Sequence, residues 1–297
     1  GEYMPKGLII SNVSNTYEVE DYENNEIIKC IPRGKFKKSD IIPVVGDNIE
    51  FEKQTETTGV INKILERKNY IKRPKMSNIT QLIFVVSMKM PVPDLLLLDK
   101  QLVFAEYNNI KSIICINKID LEKSEIINKI VNTYEKIGYK VIQTNATTGE
   151  GINEIQKYLQ NNITAFSGNS GVGKSTLINK IFKNAVTLEG EISTKNKRGK
   201  NTTTSIKLYK INKNSYLADT PGFSTFDIYE IESSKLSNYF LDLSKYLDEC
   251  EYIGCTHIKD ENCGVKKAVE NNKISKQRYE TYCKLYNELK EKEQHKW

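Results

Sequence analysis

A 297-residue chain that is 38% hydrophobic and 28% charged has the makeup of a soluble globular protein, with room for two or three domains that each bury a core. Its longest apolar runs, such as Leu95 to Leu98, are far too short to cross a bilayer and no secretory pattern opens it, so a cytoplasmic protein without membrane contact is expected. The net charge of +6 permits a nucleic-acid partner without requiring one, and six cysteines in so long a chain do not describe a disulfide scaffold.

From Met4 to about residue 70 the pattern predicts an all-β domain. Short alternating segments at 7–13, 17–22, 26–31, 48–52 and 60–64 are separated by turn-prone Asn24-Asn25, Gly46-Asp47 and Gly59. Five short strands in that length fit a small barrel of the oligonucleotide/oligosaccharide-binding (OB) type. Within it, Lys29, Arg33, Lys35, Lys37 and Lys38 surround Phe36. On a hairpin such a segment could track an RNA backbone and stack a base, and it reads equally well as a solvated loop.

From residue 79 the chain alternates strand and helix. Strands are predicted at 79–87, 110–116, 140–144 and 163–167. Helices are predicted at 94–107 with Asp94 as N-cap, at 124–137 ending near Gly138, and at 151–159. This order implies a mainly parallel sheet with its ligand at the strand C-termini. A further strand at 215–218 follows, and residues 230–297 read as helices interrupted by cysteines.

The loops of this sheet carry the chemistry. Gly168-Asn169-Ser170-Gly171-Val172-Gly173-Lys174-Ser175-Thr176 follows an apolar strand and opens a periodic helix. Its glycines let backbone N–H groups surround a phosphate, Lys174 neutralises the β/γ oxygens, and Ser175 offers a hydroxyl to Mg²⁺. Asn117-Lys118-Ile119-Asp120 closes the 110–116 strand. The Asp120 carboxylate can accept from guanine N1–H and the exocyclic amine, whereas adenine presents an acceptor at N1. The Lys118 stem can pack over the base, and Asn117 can tie the loop to its neighbours. Asn145 and Ala146 follow the next strand, where a second base-contacting loop is expected, with the Ala146 N–H facing guanine O6. Asp219 ends a strand and would hold Mg²⁺, and Gly222 can bring its N–H to a γ-phosphate. The polar stretch 195–204 has the composition of a switch loop, in which Thr202 or Thr203 would complete the Mg²⁺ shell. Phe223 occupies the region where many GTPases place a water-orienting Gln, so the group positioning water is open; Asn201 is a candidate that cannot act as a general base near neutral pH.

The guanine-reading element precedes the phosphate loop, the reverse of the order in ordinary small GTPases. A circular permutation has this signature, since it moves the chain ends and leaves the site intact. Separately, Cys250, Cys255, His257 and Cys263 offer three thiolates and one imidazole, a donor set suited to a closed, structural tetrahedral Zn²⁺. Cys30, Cys115 and Cys283 read as small core residues.

With these motifs in place the chain resembles the bacterial circularly permuted GTPases that depend on the small ribosomal subunit, the RsgA family. Asn117 to Asp120, Thr148 to Gly151, Gly168 to Thr176, Asp219 to Phe223 and the four zinc ligands carry the likeness. The resemblance implies an OB-type barrel at 4–70, a permuted P-loop GTPase domain at 71–228 and a helical zinc-binding domain at 229–297. It implies a monomeric late assembly factor, docked on the subunit and its rRNA through barrel and zinc domain. It implies weak hydrolysis of GTP to GDP that the subunit stimulates, with release on hydrolysis. The family usually has His where this chain has Asn201. A nucleotide-gated rRNA-binding module with little turnover is therefore the alternative, and a metal-stabilised scaffold with a vestigial site is opposed by intact Lys174, Ser175, Asp219 and Asp120.

Overall fold

The N-terminal alternation closes on itself. In the computed structural model, which describes residues 4–34, 36, 41–189, 206–219 and 226–295, the first strands are β1 (Lys6–Val13), β2 (Thr16–Asp21), β3 (Ile27–Pro32), β4 (Asn48–Lys53) and β5 (Thr58–Ile64). β1 pairs antiparallel with β2 and β4, β2 with β3, and β4 with β5, while β3 and β5 run parallel. The circuit β1-β2-β3-β5-β4-β1 leaves no strand edge open, which is the OB solution to the edge problem. Ile9, Val19, Ile28, Cys30, Ile49, Phe51 and Ile61 are fully buried in it. A small hairpin, β6 (Tyr70–Lys72) and β7 (Lys75–Ser77), follows and was not expected from the sequence. Buried Asp47 ties it down, accepting from Ser77 Oγ at 2.6 Å and from Arg67 Nε at 2.7 Å.

The remaining strands are β8 (Gln81–Ser87), β9 (Lys111–Asn117), β10 (Lys140–Thr144), β11 (Ile163–Ser167), β12 (Lys207–Asn212) and β13 (Ser215–Asp219). The helices are α1 (Leu95–Tyr107), α2 (Ser124–Ile137), α3 (Ile152–Leu159), α4 (Lys174–Glu189), α5 (Gly264–Glu270) and α6 (Lys276–Gln294). The chain divides into two compact units. One is Gly1–Ile83, Gly151–Ser167 and Lys174–Phe223; the other is Phe84–Glu150, Gly168–Gly173 and Ser224–Trp297.

In the first unit β11 runs parallel to β13, and β13 pairs antiparallel with β12. β12 departs from the parallel expectation and also pairs with the barrel, Ser11 opposite Lys207. Polar bonds reinforce that seam: Lys207 Nζ lies 3.4 Å from Glu18 Oε2, and buried Glu20 takes both the Lys210 ammonium and the Tyr216 hydroxyl.

In the second unit β10 and β9 are parallel, with Thr144 opposite Asn117. Asp94 caps α1, accepting from Leu97 N at 2.9 Å, and Gly138 ends α2 with φ 119°, the left-handed stop that glycine permits. Two 3₁₀ segments, Ser233–Tyr239 and Ser244–Glu249, stand where the sequence suggested ordinary helix. No described helix is long and apolar enough to cross a membrane.

Candidate guanine-nucleotide site and metal centre

Asn117 is the hub of the second unit's loops. It is 1% exposed. Its Nδ2 donates to the Val172 carbonyl at 2.8 Å, and its Oδ1 accepts from Thr144 Oγ1 at 3.0 Å and from Ala146 N at 3.1 Å. One amide therefore joins the ends of β9 and β10 to the phosphate loop, a task needing a donor and an acceptor on one planar group. Lys118 adopts the left-handed conformation (φ 60°, ψ 41°), which turns the chain off β9. Its ammonium then donates to Met90 O at 2.6 Å and Gly171 O at 2.7 Å. Asp120 sits exposed on the single 3₁₀ turn Ile119–Leu121.

Asn145 shapes its loop from within. Its Oδ1 accepts from Thr147 N at 3.0 Å, and its own N–H donates to Glu150 O. The Ala146 N–H, expected to face a base, is engaged by Asn117 Oδ1. The Met90 carbonyl was not singled out from sequence, and Thr144, the first residue of the expected second base-contacting loop, had no role of its own there. The carbonyl has no side-chain signature, and the Thr144 hydroxyl is recognisable only once β9 and β10 are paired in register.

The phosphate-loop glycines Gly168 and Gly173 are required by their surroundings. A Cβ on Gly168 (φ 143°) would lie 2.3 Å from Val85 O, and one on Gly173 (φ 98°) would lie 2.3 Å from Asn117 Nδ2. Asn169 Nδ2 donates to Asp94 Oδ2 at 3.2 Å, while Ser170 and Gly171 are exposed. In the first unit Lys174, Ser175 and Thr176 form the first turn of α4, with Ser175 and Thr176 exposed. Partial burial lowers the Lys174 ammonium below the ordinary lysine pKa, an environment that favours a nearby anion. Asp219 is the last residue of β13. Asn201, Thr202, Thr203 and Gly222 lie outside the described residues.

On the barrel, Lys29 is exposed on β3, and Arg33 Nη2 pairs with Glu52 Oε2 at 2.8 Å with both side chains about half exposed. Phe36 is partly buried, its N–H bonded to Arg33 O at 3.0 Å. Lys35, Lys37 and Lys38 lie outside the described residues.

The four metal-ligating candidates do converge. One donor atom from each of Cys250, Cys255, His257 and Cys263 lies within 4.8 Å of every other. Cys250 Sγ is 3.5 Å from His257 Nδ1 and 3.9 Å from Cys263 Sγ, and His257 Nδ1 is 3.4 Å from Cys263 Sγ. A tetrahedral zinc bonded to sulfur and nitrogen has edges of about 3.8 Å (S to S) and 3.5 Å (S to N), which these separations match. Burial pushes the Cys255 thiol up to about 12 and holds the His257 imidazole below its usual pKa. A neutral imidazole is what a metal takes, and the thiols need a cation beside them to ionise. The loop is braced from α6: the Tyr279 hydroxyl donates to His257 O and the Tyr282 hydroxyl to Thr256 O, each at 2.8 Å. Cys30 and Cys115 are buried, and burial pushes each thiol up to about 12, in keeping with inert core residues.

Comparison with known proteins follows the same lines. A family model described as RsgA GTPase matches residues 64–229, and one described as RsgA N-terminal domain matches residues 6–61. The small ribosomal subunit biogenesis GTPase RsgA of Caldanaerobacter subterraneus subsp. tengcongensis is 41% identical over 292 residues, 98% of each chain. Its namesake from Clostridium botulinum (strain Loch Maree) is 39% identical over 98% of this chain and 100% of its own. Among solved structures, YjeQ from Thermotoga maritima superimposes with a TM-score of 0.84 at 37% identity, covering 97% of this chain and 99% of its own. YloQ, described as a circularly permuted GTPase, gives 0.83 at 33% identity, covering 98% and 96%.

Proposed function

Because the chain belongs to the RsgA family of GTPases and is thereby a GTP hydrolase, we propose that it binds the small ribosomal subunit and acts late in its maturation. The subunit would stimulate its conversion of GTP to GDP and phosphate. The observation that carries this reading is the near-full-length match to relatives named for biogenesis of that subunit. The domain limits proposed are 4–70, 71–228 and 229–297.

In this reading guanine is held at Asp120, whose carboxylate takes N1–H and the exocyclic amine. The Lys118 stem lies along the base, anchored by its bonds to Met90 O and Gly171 O. Asn145 and Ala146 close the O6 side; for its N–H to meet the base, Ala146 must share or give up Asn117 Oδ1. The N–H groups of Gly168 to Gly173 cradle the β-phosphate, with Thr176 in the helix turn that follows. Lys174 meets the β/γ oxygens, and the phosphate charge opposes the lowering that burial imposes on its pKa.

Ser175, Asp219 and either Thr202 or Thr203 would hold Mg²⁺, which supplies charge neutralisation between the phosphates. Gly222 offers its N–H to the γ-phosphate. Asn201 can hydrogen-bond the attacking water but cannot take its proton near neutral pH; the subunit or backbone groups are the other candidates for orienting it. Cys250, Cys255, His257 and Cys263 would hold one Zn²⁺ with no open position, a structural site. Lys29, Arg33, Lys35, Phe36, Lys37 and Lys38 contact rRNA; the exposed Arg33–Glu52 pair opens at little cost. The protein works as a cytoplasmic monomer.

The test is GTP turnover with and without purified small subunits, with Lys174→Ala as the blank. Strong stimulation is expected. GTP-dependent subunit binding without stimulation would instead establish the nucleotide-gated RNA binder that Asn201 and Phe223 make the alternative. Neither binding nor stimulation would end the ribosomal reading.

A further inference from the structure

Arg278 is the largest of the fully buried side chains among the described residues, and nothing in the nucleotide or metal chemistry above uses it. It sits in the first turn of α6. Its Nη1 donates to Asp99 Oδ1 at 2.7 Å, its Nη2 to Asp242 Oδ1 at 2.7 Å, and its Nε to Asp242 Oδ2 at 3.1 Å. Asp99 also accepts from the Tyr134 hydroxyl at 2.7 Å and from Gln277 Nε2 at 3.0 Å, so all four carboxylate oxygens are engaged. The guanidinium lies 4.7 Å from the Phe240 ring centre. Burial alone would lower the Arg278 pKa; the two carboxylates outweigh it and hold the pKa well above the ordinary value. A buried triad of this kind adds little net stability, because desolvation offsets the attraction. What it does fix is geometry, since a bidentate fork between packed elements cannot slide without orphaning a charge.

The elements so joined lead to both candidate sites. Asp99 belongs to α1, and the same helix begins at Asp94. One Asp94 oxygen caps α1 at Leu97 N, and the other accepts from Asn169 of the phosphate loop at 3.2 Å. On α6, Tyr279 and Tyr282 hold the backbone of His257 and Thr256.

We infer that Arg278 is a positioning residue for the phosphate loop: through Asp99 it locks α6 to α1, so that Asn169 and the cysteine knuckle are carried by one rigid body. Nucleotide binding and metal retention are then coupled, and by linkage the coupling is reciprocal. The inference rests on the nucleotide and zinc assignments of the proposed function.

The test measures zinc release from the full chain to a chromophoric chelator, with no nucleotide and with saturating GDP. In the unaltered protein GDP slows release by about fivefold or more, the lower end of ordinary allosteric coupling. The triple variant R278M/D99L/D242L removes every charge of the triad together, which avoids leaving one buried and unpaired. It is expected to keep its zinc and still to saturate with GDP, at a weaker affinity, while the slowing falls within twofold. Arg278→Lys keeps the charge, loses the fork and should give an intermediate ratio; it also serves if the triple variant fails to fold. A further readout is the steady-state split: KM for GTP rises while zinc content stays at one per chain. Zinc release indifferent to GDP in the unaltered protein, or equally slowed in both variants, overturns the inference alone. Absence of bound zinc or of GDP binding overturns the site assignments and the inference with them.

Discussion

The loops around Asn117 and the cysteine knuckle both draw on separate stretches of the second unit, yet they are held in opposite ways. At Asn117 the protein satisfies itself, with the side-chain amide bonded to Val172, Thr144 and Ala146. At the knuckle three sulfurs and a ring nitrogen face one another within 4.8 Å, and burial raises the Cys255 and Cys263 thiols. Ionised, such a cluster would repel itself. The loops around Asn117 are braced by their own hydrogen bonds; the cysteine cluster, once its thiols ionise, would call for a cation among them.

Stripping the metal should therefore have the largest effect. Zinc-finger-like sites draw an apparent ~10 kcal/mol or more from the metal. Chelation, or Cys263→Ser, is expected to abolish hydrogen-exchange protection across 250–263 while β9 and β10 keep theirs. An unchanged exchange pattern, with no zinc by elemental analysis, would show that the knuckle holds itself.

Lys174→Ala should act in the opposite sense, removing ligand and sparing fold. Loss of charged hydrogen bonds to the phosphates costs about 3 kcal/mol, or roughly a hundredfold in GTP affinity. Melting of the nucleotide-free protein should hardly move. A hundredfold loss accompanied by a large drop in melting temperature would mean that Lys174 also holds the scaffold.

Asn117→Ala comes next and should damage both. It leaves the Thr144 hydroxyl, the Ala146 N–H and the Val172 carbonyl without that partner, and buried orphans cost about 1–3 kcal/mol each when no water reaches them. Stability by denaturant titration and GTP affinity should fall together. Loss of affinity at full stability would move Asn117 from scaffold to ligand contact.

What the sequence disclosed divides along similar lines. Asn117 to Asp120 and Gly168 to Thr176 stand out as candidates because each gathers its residues into one loop after a strand, where local spacing suffices. The convergence of Cys250, Cys255, His257 and Cys263 was legible because all four fall in one short stretch. β12 was missed: six residues beside a polar stretch carry little periodicity, and its barrel partner, Ser11 opposite Lys207, lies about two thirds of the chain away. Arg278 was missed because a cation in the first turn of a polar helix reads as solvated, and Asp99 lies 179 residues earlier. The 3₁₀ segment Ser233–Tyr239 is too short for a period of 3 to be told from 3.6.

Asp120→Asn should have the smallest effect on the protein and the most specific effect on its ligand. Asp120 is exposed on a single 3₁₀ turn, so the isosteric change leaves the loop's frame, built on Asn117 and Lys118, in place. A carboxylate offers two acceptors to the two donors of guanine, N1–H and the exocyclic amine. An amide offers one acceptor and one donor, and the donor now meets the guanine amine. In xanthine that amine is a carbonyl, which accepts from the amide. GTP affinity should fall about tenfold, near 1.5 kcal/mol for one mismatched charged bond, while xanthosine triphosphate gains by a similar factor. Stability should stay within about 0.5 kcal/mol of the parent, as for a surface change. Unchanged preference for GTP would remove Asp120 from the base site, and with it the chemical reason for reading this loop as guanine-specific.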